Sequence, residues 1–139
     1  MAARQEVWRR VEGLAAAGTG VIVCTHDLVE AERCSHVAFF ADGRVLAAGA
    51  PGEVAAGSPV AVFLLCGTDV RRLAKDVTAV AGVLASGPQG ESLRVVADPL
   101  AELDLRRFAA TRAASLARAG PRLEDAVLAR SVPMGRRQP

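Results

Sequence analysis

No glycine-rich phosphate loop occurs anywhere in this chain, and no apolar run is long. The longest clean run, VAVFLLC at Val60–Cys66, falls far short of the roughly 20 residues a helix needs to cross a bilayer. The first residues, MAARQEVWRR, contain no apolar signal-peptide core. A direct membrane span is therefore not expected. Lysine is almost missing, with Lys75 the only one, so the basic residues are nearly all arginine. The formal net charge is +2 with both signs interspersed. That is no electrostatic footprint for a nucleic-acid partner. Cysteine is scarce and unpatterned, with three in all. An odd, unspaced set points to reduced, buried thiols in a cytosolic protein rather than to a disulfide framework.

Apolar residues are abundant. At 51% of 139 residues they can fill the core of one ordinary domain or two small ones. Val7, Trp8, Val11, Leu14 and Ala15 recur at helical spacing, and Gly18 stops that helix. Val21–Cys24 (VIVC) is a short apolar run rich in β-branched residues, which predicts a strand covered on both faces, as in a parallel sheet. Asp27 then caps a short helix from Leu28 to about Cys34, with Glu30 as the return partner of a capping box. Asp42-Gly43 predicts a two-residue hairpin between strands at about His36–Ala41 and Arg44–Ala48. Pro51 opens a short helix, and Gly57–Pro59 reads as a linker.

A second pattern follows the linker. VAVFLLC is a strand, and the next helix sets Val70, Leu73, Ala74 and Val77 on one face. VLAS at 83–86 is a strand, GPQGES at 87–92 a turn, and LRVVA at 93–97 a strand. Asp98 and Pro99 open another helix, a strand lies within AASLARA, and RLEDAVLAR closes with a short helix. The order is β-α-β-β-α-β, the ferredoxin-like arrangement.

The first stretch resembles the distal part of an ABC-transporter nucleotide-binding domain. VWRRVEGLAAAGTGVIVCTH (Val7–His26) is similar to the helix and strand that lead into that family's switch histidine. DLVEAERCSHVAFFADGRVLAAGAP (Asp27–Pro51) resembles its usual continuation. The match covers about residues 3–57. GPRLEDAVLAR (Gly120–Arg130) is similar, more loosely, to the ending of exporter-type members, which carry a small C-terminal accessory domain; Ala126-Val127 departs from the aromatic usual there. The resemblance implies an α/β fold in two parts. Residues 1–57 are the C-terminal part of an ABC ATPase (P-loop NTPase) domain, and residues 58–139 are the accessory α+β domain.

The resemblance further implies a partial ATP-binding subunit that couples ATP hydrolysis to a membrane permease. A second ATP-binding subunit is the dimer partner, and the pair is cytoplasmic, at the inner face of the membrane through the permease. In the complete domain ATP and Mg²⁺ are the cofactors. The phosphate loop with its lysine, the signature loop, the Mg²⁺ aspartate and the water-positioning carboxylate are not in this sequence. Met1 aligns inside the family's domain, just past the last of these motifs. This stretch alone is therefore expected to show negligible ATPase activity. The competing reading is a non-catalytic regulatory or dimerisation module built on the ferredoxin-like half.

His26 is the candidate catalytic residue. An imidazole at the C-terminal end of a buried strand reaches the crevice where α/β proteins bind ligands, and the resemblance assigns it the γ-phosphate contact. Asp27 and Glu30 read as capping residues. Cys24, His26, Cys34 and His36 have the donor types of a zinc site, but a strand and a helix end about ten residues apart do not converge without a loop. No metal site and no phosphate-binding residues are expected here. Trp8 reads as core, Gly43 and Gly49 as turn residues, and Arg9-Arg10, Arg71-Arg72 and Arg106-Arg107 as solvated helix faces, with Arg136-Arg137 in a frayed tail.

Overall fold

A computed structural model describes residues 2–131. In chain order its elements are α1 (Ala2–Ala16), α2 (Leu28–Ala31), β1 (Val37–Ala41), β2 (Arg44–Gly49), α3 (Pro51–Ala56), β3 (Ala61–Cys66), α4 (Val70–Val77), β4 (Val83–Gln89) and β5 (Ser92–Ala97). A single 3₁₀ turn at Pro99–Ala101 leads into α5 (Glu102–Ala110), followed by β6 (Ser115–Ala119) and α6 (Leu123–Ser131). The class is mixed α/β with two antiparallel sheets: the hairpin β1-β2, and a four-stranded sheet in the order β4-β5-β3-β6. Arg136-Arg137 lies outside the described residues.

The four-stranded sheet follows from strict alternation. Phe63 and Leu65 on β3 and Leu93 and Val95 on β5 share one face and are at most 1% exposed. Leu73 and Val77 of α4, with Leu105 and Phe108 of α5, cover that face and complete the main core. Val70 and Ala74 pack at its margin, so the predicted face of α4 is the buried one. Asp69 and Asp98 accept the Arg72 and Leu100 amides at 2.9 Å and start the two helical segments. Pro88 is tolerated because β4 is an edge strand. The turn predicted over 87–92 is shorter than read: β4 continues to Gln89, and Gly90-Glu91 alone reverses the chain.

Arg94 points to the opposite face of this sheet, and α6 answers it with Asp125. Asp125 is 4% exposed and is the one buried charged residue among those described. Beyond that pair, Leu123 and Ala126 of α6 join Ala31 of α2 and Val54 of α3 in a second, smaller core, with Phe39 and Ala47 of the hairpin against it. Ala126 is fully buried, so its small side chain suits the close seat of α6. The hairpin turns at Asp42 (φ 50°) and Gly43 (φ 72°), both left-handed, as Asp-Gly predicted. Gly49 also has positive φ.

Four expectations are corrected. Val21–Cys24 is not a strand: it is exposed, Ile22 by 93%, and no described segment hydrogen-bonds to it. A strand apolar on both faces needs neighbours in a sheet, and none is present among the described residues. The α1 stripe is mostly open: Trp8 is 6% exposed, but Val7 is 59% and Leu14 53%. Cys24 and Cys66 are exposed rather than buried, and only Cys34 is half-buried; the first follows from the missing strand, and the second from its place at the end of β3. The α2 helix also stops at Ala31, three residues early.

Two predictions test this account. Phe63→Ala should cost about 3–5 kcal/mol, while Phe40→Ala, at a site 71% exposed, should stay within about 0.5 kcal/mol; urea unfolding of the 139-residue chain reads both. Asp125→Ala should cost about 3–5 kcal/mol because it strands the Arg94 charge. Pairing Asp125→Leu with Arg94→Met should recover most of that loss, and a double variant as weak as Asp125→Ala would count against the explanation.

Candidate functional site

Arg4 and Trp8 lie four residues apart on α1 and therefore on one face. The carboxylate of Glu30, in the single turn of α2, faces them. Arg4 Nε donates to Glu30 Oε1 at 2.6 Å and the Trp8 indole Nε1 at 3.0 Å. The Thr25 hydroxyl donates to Glu30 Oε2 at 2.7 Å. Arg4 also pairs with Asp27 at 3.3 Å. Arg33 stacks over the Trp8 ring at 4.6 Å and pairs with Glu12 of α1 at 2.6 Å. One carboxylate thus gathers three donors from two segments, and two arginines close the flanks.

The capping-box reading of Glu30 is corrected by this geometry. Asp27 does cap α2, accepting the Val29 amide at 2.9 Å. Glu30 does not return to the Asp27 amide, which instead donates to Thr25 Oγ1 at 3.0 Å. The charged and indole donors of α1 outcompete a single backbone amide for the carboxylate. Trp8 is core in its ring and polar at its nitrogen, a double use that helical spacing alone does not announce. The long-range partner of Glu30 has no local sequence signal either: 26 residues separate it from Arg4.

The Arg4 guanidinium above all, then the Thr25 hydroxyl and the Trp8 indole, hold the Glu30 carboxyl down at about 2, against a desolvation that works the other way. Arg4 is raised above its ordinary value by the hydrogen bond to Glu30. The Glu30 side chain is 15% exposed.

His26 sits between Thr25 and Asp27, at the end of the unpaired Val21–Cys24 segment rather than at the end of a strand. Its side chain faces solvent, and among the described residues it has no hydrogen-bonded partner. The structure brings Thr25, Asp27 and Glu30 together around its backbone. The donor set does not fit ATP or Mg²⁺ unaided. Asp27 and Glu30 are both committed to Arg4 and to hydrogen bonds, leaving neither carboxylate open for a cation. No group of three or more His, Cys, Asp or Glu side chains among the described residues is set to hold a metal ion. The arginine pairs Arg9-Arg10 and Arg106-Arg107 are solvated, each side chain at least 56% exposed.

A shallow cleft of about 690 Å³ opens where β3 meets α4, lined by Cys66, Thr68, Asp69, Arg71, Glu91 and Ser92. No helix among the described residues is long and apolar enough to cross a membrane.

Set beside known proteins, the chain is 40% identical over 53 residues to the Nod factor export ATP-binding protein I of Cupriavidus metallidurans. That stretch is 37% of this chain and 18% of the relative, so the chain spans under a fifth of that protein's length. Part of the chain is thus related to an export ATP-binding protein. No protein-family model matches, and no solved structure does.

The Glu30 hub carries a pH dependence with a fixed sign. Its folded carboxyl lies near 2 and its ordinary value is 4.5, so its stabilisation is fully present above about 4.5 and fades as pH falls toward 2. Wild type should therefore melt above Glu30→Gln at neutral pH, and the two should converge between pH 4.5 and 2. Melting scans across that range check it, with Trp8 fluorescence as the local reporter. A gap between the two proteins that ignores pH would sink the assignment.

Proposed function

We propose that residues 1–57 are the C-terminal part of an ABC-transporter ATP-binding domain, of P-loop NTPase type, and that residues 58–139 are its small accessory domain of ferredoxin-like topology. The observation that carries this reading is the 53-residue stretch shared with an export ATP-binding protein. The exposed imidazole of His26, on a turn fixed from both sides, supports it. In this reading His26 contacts the terminal phosphate of ATP once another segment supplies the phosphate loop, the signature loop and the Mg²⁺ carboxylates. The assembled subunit pairs with a second ATP-binding subunit on a membrane permease, at the cytoplasmic face.

Two measurements test it together. The 139-residue chain alone should turn over no ATP above buffer. Combined with a polypeptide that carries the missing loops, it should support turnover that His26→Ala lowers by roughly 10²–10³-fold, the usual loss when one preorganised charge-stabilising group is removed. Turnover by the chain alone, or full turnover with His26→Ala, would defeat the proposal.

A second reading has one observation in its favour. The main core is built entirely from residues between Ala61 and Leu116, so the four-stranded sheet closes its own interior. That suits a regulatory or dimerisation module. A concentration-dependent dimer in sedimentation, insensitive to nucleotide, would favour it.

A further inference from the structure

Among the described residues the His26 side chain has no hydrogen-bond partner, yet its backbone is held on both sides. On the left, the Thr25 hydroxyl is used twice: it donates to Glu30 Oε2 at 2.7 Å and accepts the Asp27 amide at 3.0 Å. On the right, Asp27 accepts the Val29 amide at 2.9 Å and pairs with Arg4. Both flanks therefore lead to α1 through the same Glu30–Arg4–Trp8 hub. The segment before Thr25 offers no support, because Val21–Cys24 is exposed and unpaired. A histidine after such a segment should wander unless something else holds it.

We propose that Thr25 and Glu30 are positioning residues for His26: Glu30, anchored to α1, fixes the Thr25 hydroxyl, and that hydroxyl fixes the amide that follows His26. The inference deepens the proposed role of His26 and rests on that reading for its consequence, though its test needs no nucleotide. Glu30 is too committed to act as a base. All three of its donors are already in place: its carboxylate takes the Thr25 hydroxyl on one side of His26, and on the other side only its backbone amide donates to the Asp27 carbonyl, at 3.1 Å. A turn held this way presents the exposed histidine to an incoming group without first having to order the loop, which lowers the entropy cost of binding.

The two histidines make the test selective, since His36 lies outside the hub and serves as an internal control. Backbone ¹⁵N relaxation on the 139-residue chain should give His26 an order parameter near 0.85, the range of rigid backbone. Thr25→Val cuts the link to the loop but leaves the Arg4 and Trp8 bonds to Glu30. It should drop His26 below about 0.6, while the Trp8 indole N–H resonance and the His36 amide stay where they were. Glu30→Ala should mobilise His26 and also move the Trp8 indole resonance. Thr25→Ser keeps the hydroxyl and should restore rigidity, which a methyl-packing role would not do. The proposal is overturned if His26 is already below about 0.6 in the wild type, if it stays rigid in Thr25→Val, or if it loosens only when Trp8 and His36 move with it. Loss of ATP turnover in His26→Ala with no effect of Thr25→Val on His26 order would leave the functional reading standing and remove this one.

Discussion

The pair Arg94–Asp125 is the joint on which the arrangement of the chain depends. Asp125 accepts Arg94 Nη2 at 2.5 Å and Nε at 3.3 Å, and the Arg122 amide at 2.6 Å. Arg94 Nη2 also donates to the Gly120 carbonyl at 2.9 Å, and its Nη1 to Gln89 Oε1 at 3.4 Å. A carboxylate this buried is tolerated only with a full set of donors, and a two-pronged guanidinium plus a backbone amide supplies one. The same contacts start α6 and fix it on the sheet face that α4 and α5 leave free. Leu123 and Ala126 then have one place to go, which is against Val54 and Ala31. Without the joint the smaller core would lose its outer wall.

The two halves are stabilised by different physics. The four-stranded sheet buries a continuous set of large apolar side chains, so burial alone accounts for most of its order. The first half contributes only two buried members to its cluster, Ala31 and Val54, the other two coming from α6. It leaves Val7, Leu14, Ile22, Val29, Phe40 and Val45 more than half exposed. There α1 is attached by charge and hydrogen bonds, through Glu30 and through Arg33 with Glu12. Exposed ion pairs are individually weak, but a shared carboxylate with an indole and a hydroxyl acts as a network in which one ordered side chain serves several bonds.

What the sequence made legible follows the range of the signals. The helices and strands after the linker, the Asp-Gly turn, the caps at Asp27 and Asp98, and the buried face of α4 are all local or periodic features, and they appear as read. VIVC failed because strand formation is a property of neighbours: its composition fits a central strand, but no described segment offers the ladder. Glu30 was read from its spacing to Asp27, a three-residue relation, while two of its three real partners come from α1 more than twenty residues earlier. Arg94–Asp125 was equally hidden, since a charge in a strand and a charge in a final helix look solvated until the fold brings them together.

These limits bear on chemistry. A carboxyl held near 2 is a poor proton acceptor at neutral pH, so Glu30 holds structure rather than reacting. Asp27 is occupied as a cap and by Arg4. That leaves His26 as the side chain at this turn with free donor and acceptor capacity among the described residues. A single imidazole cannot bind a triphosphate, because phosphate recognition needs several converging donors and a counter-charge. The turn itself offers one exposed imidazole on a backbone whose geometry Thr25, Asp27 and Glu30 set within this chain.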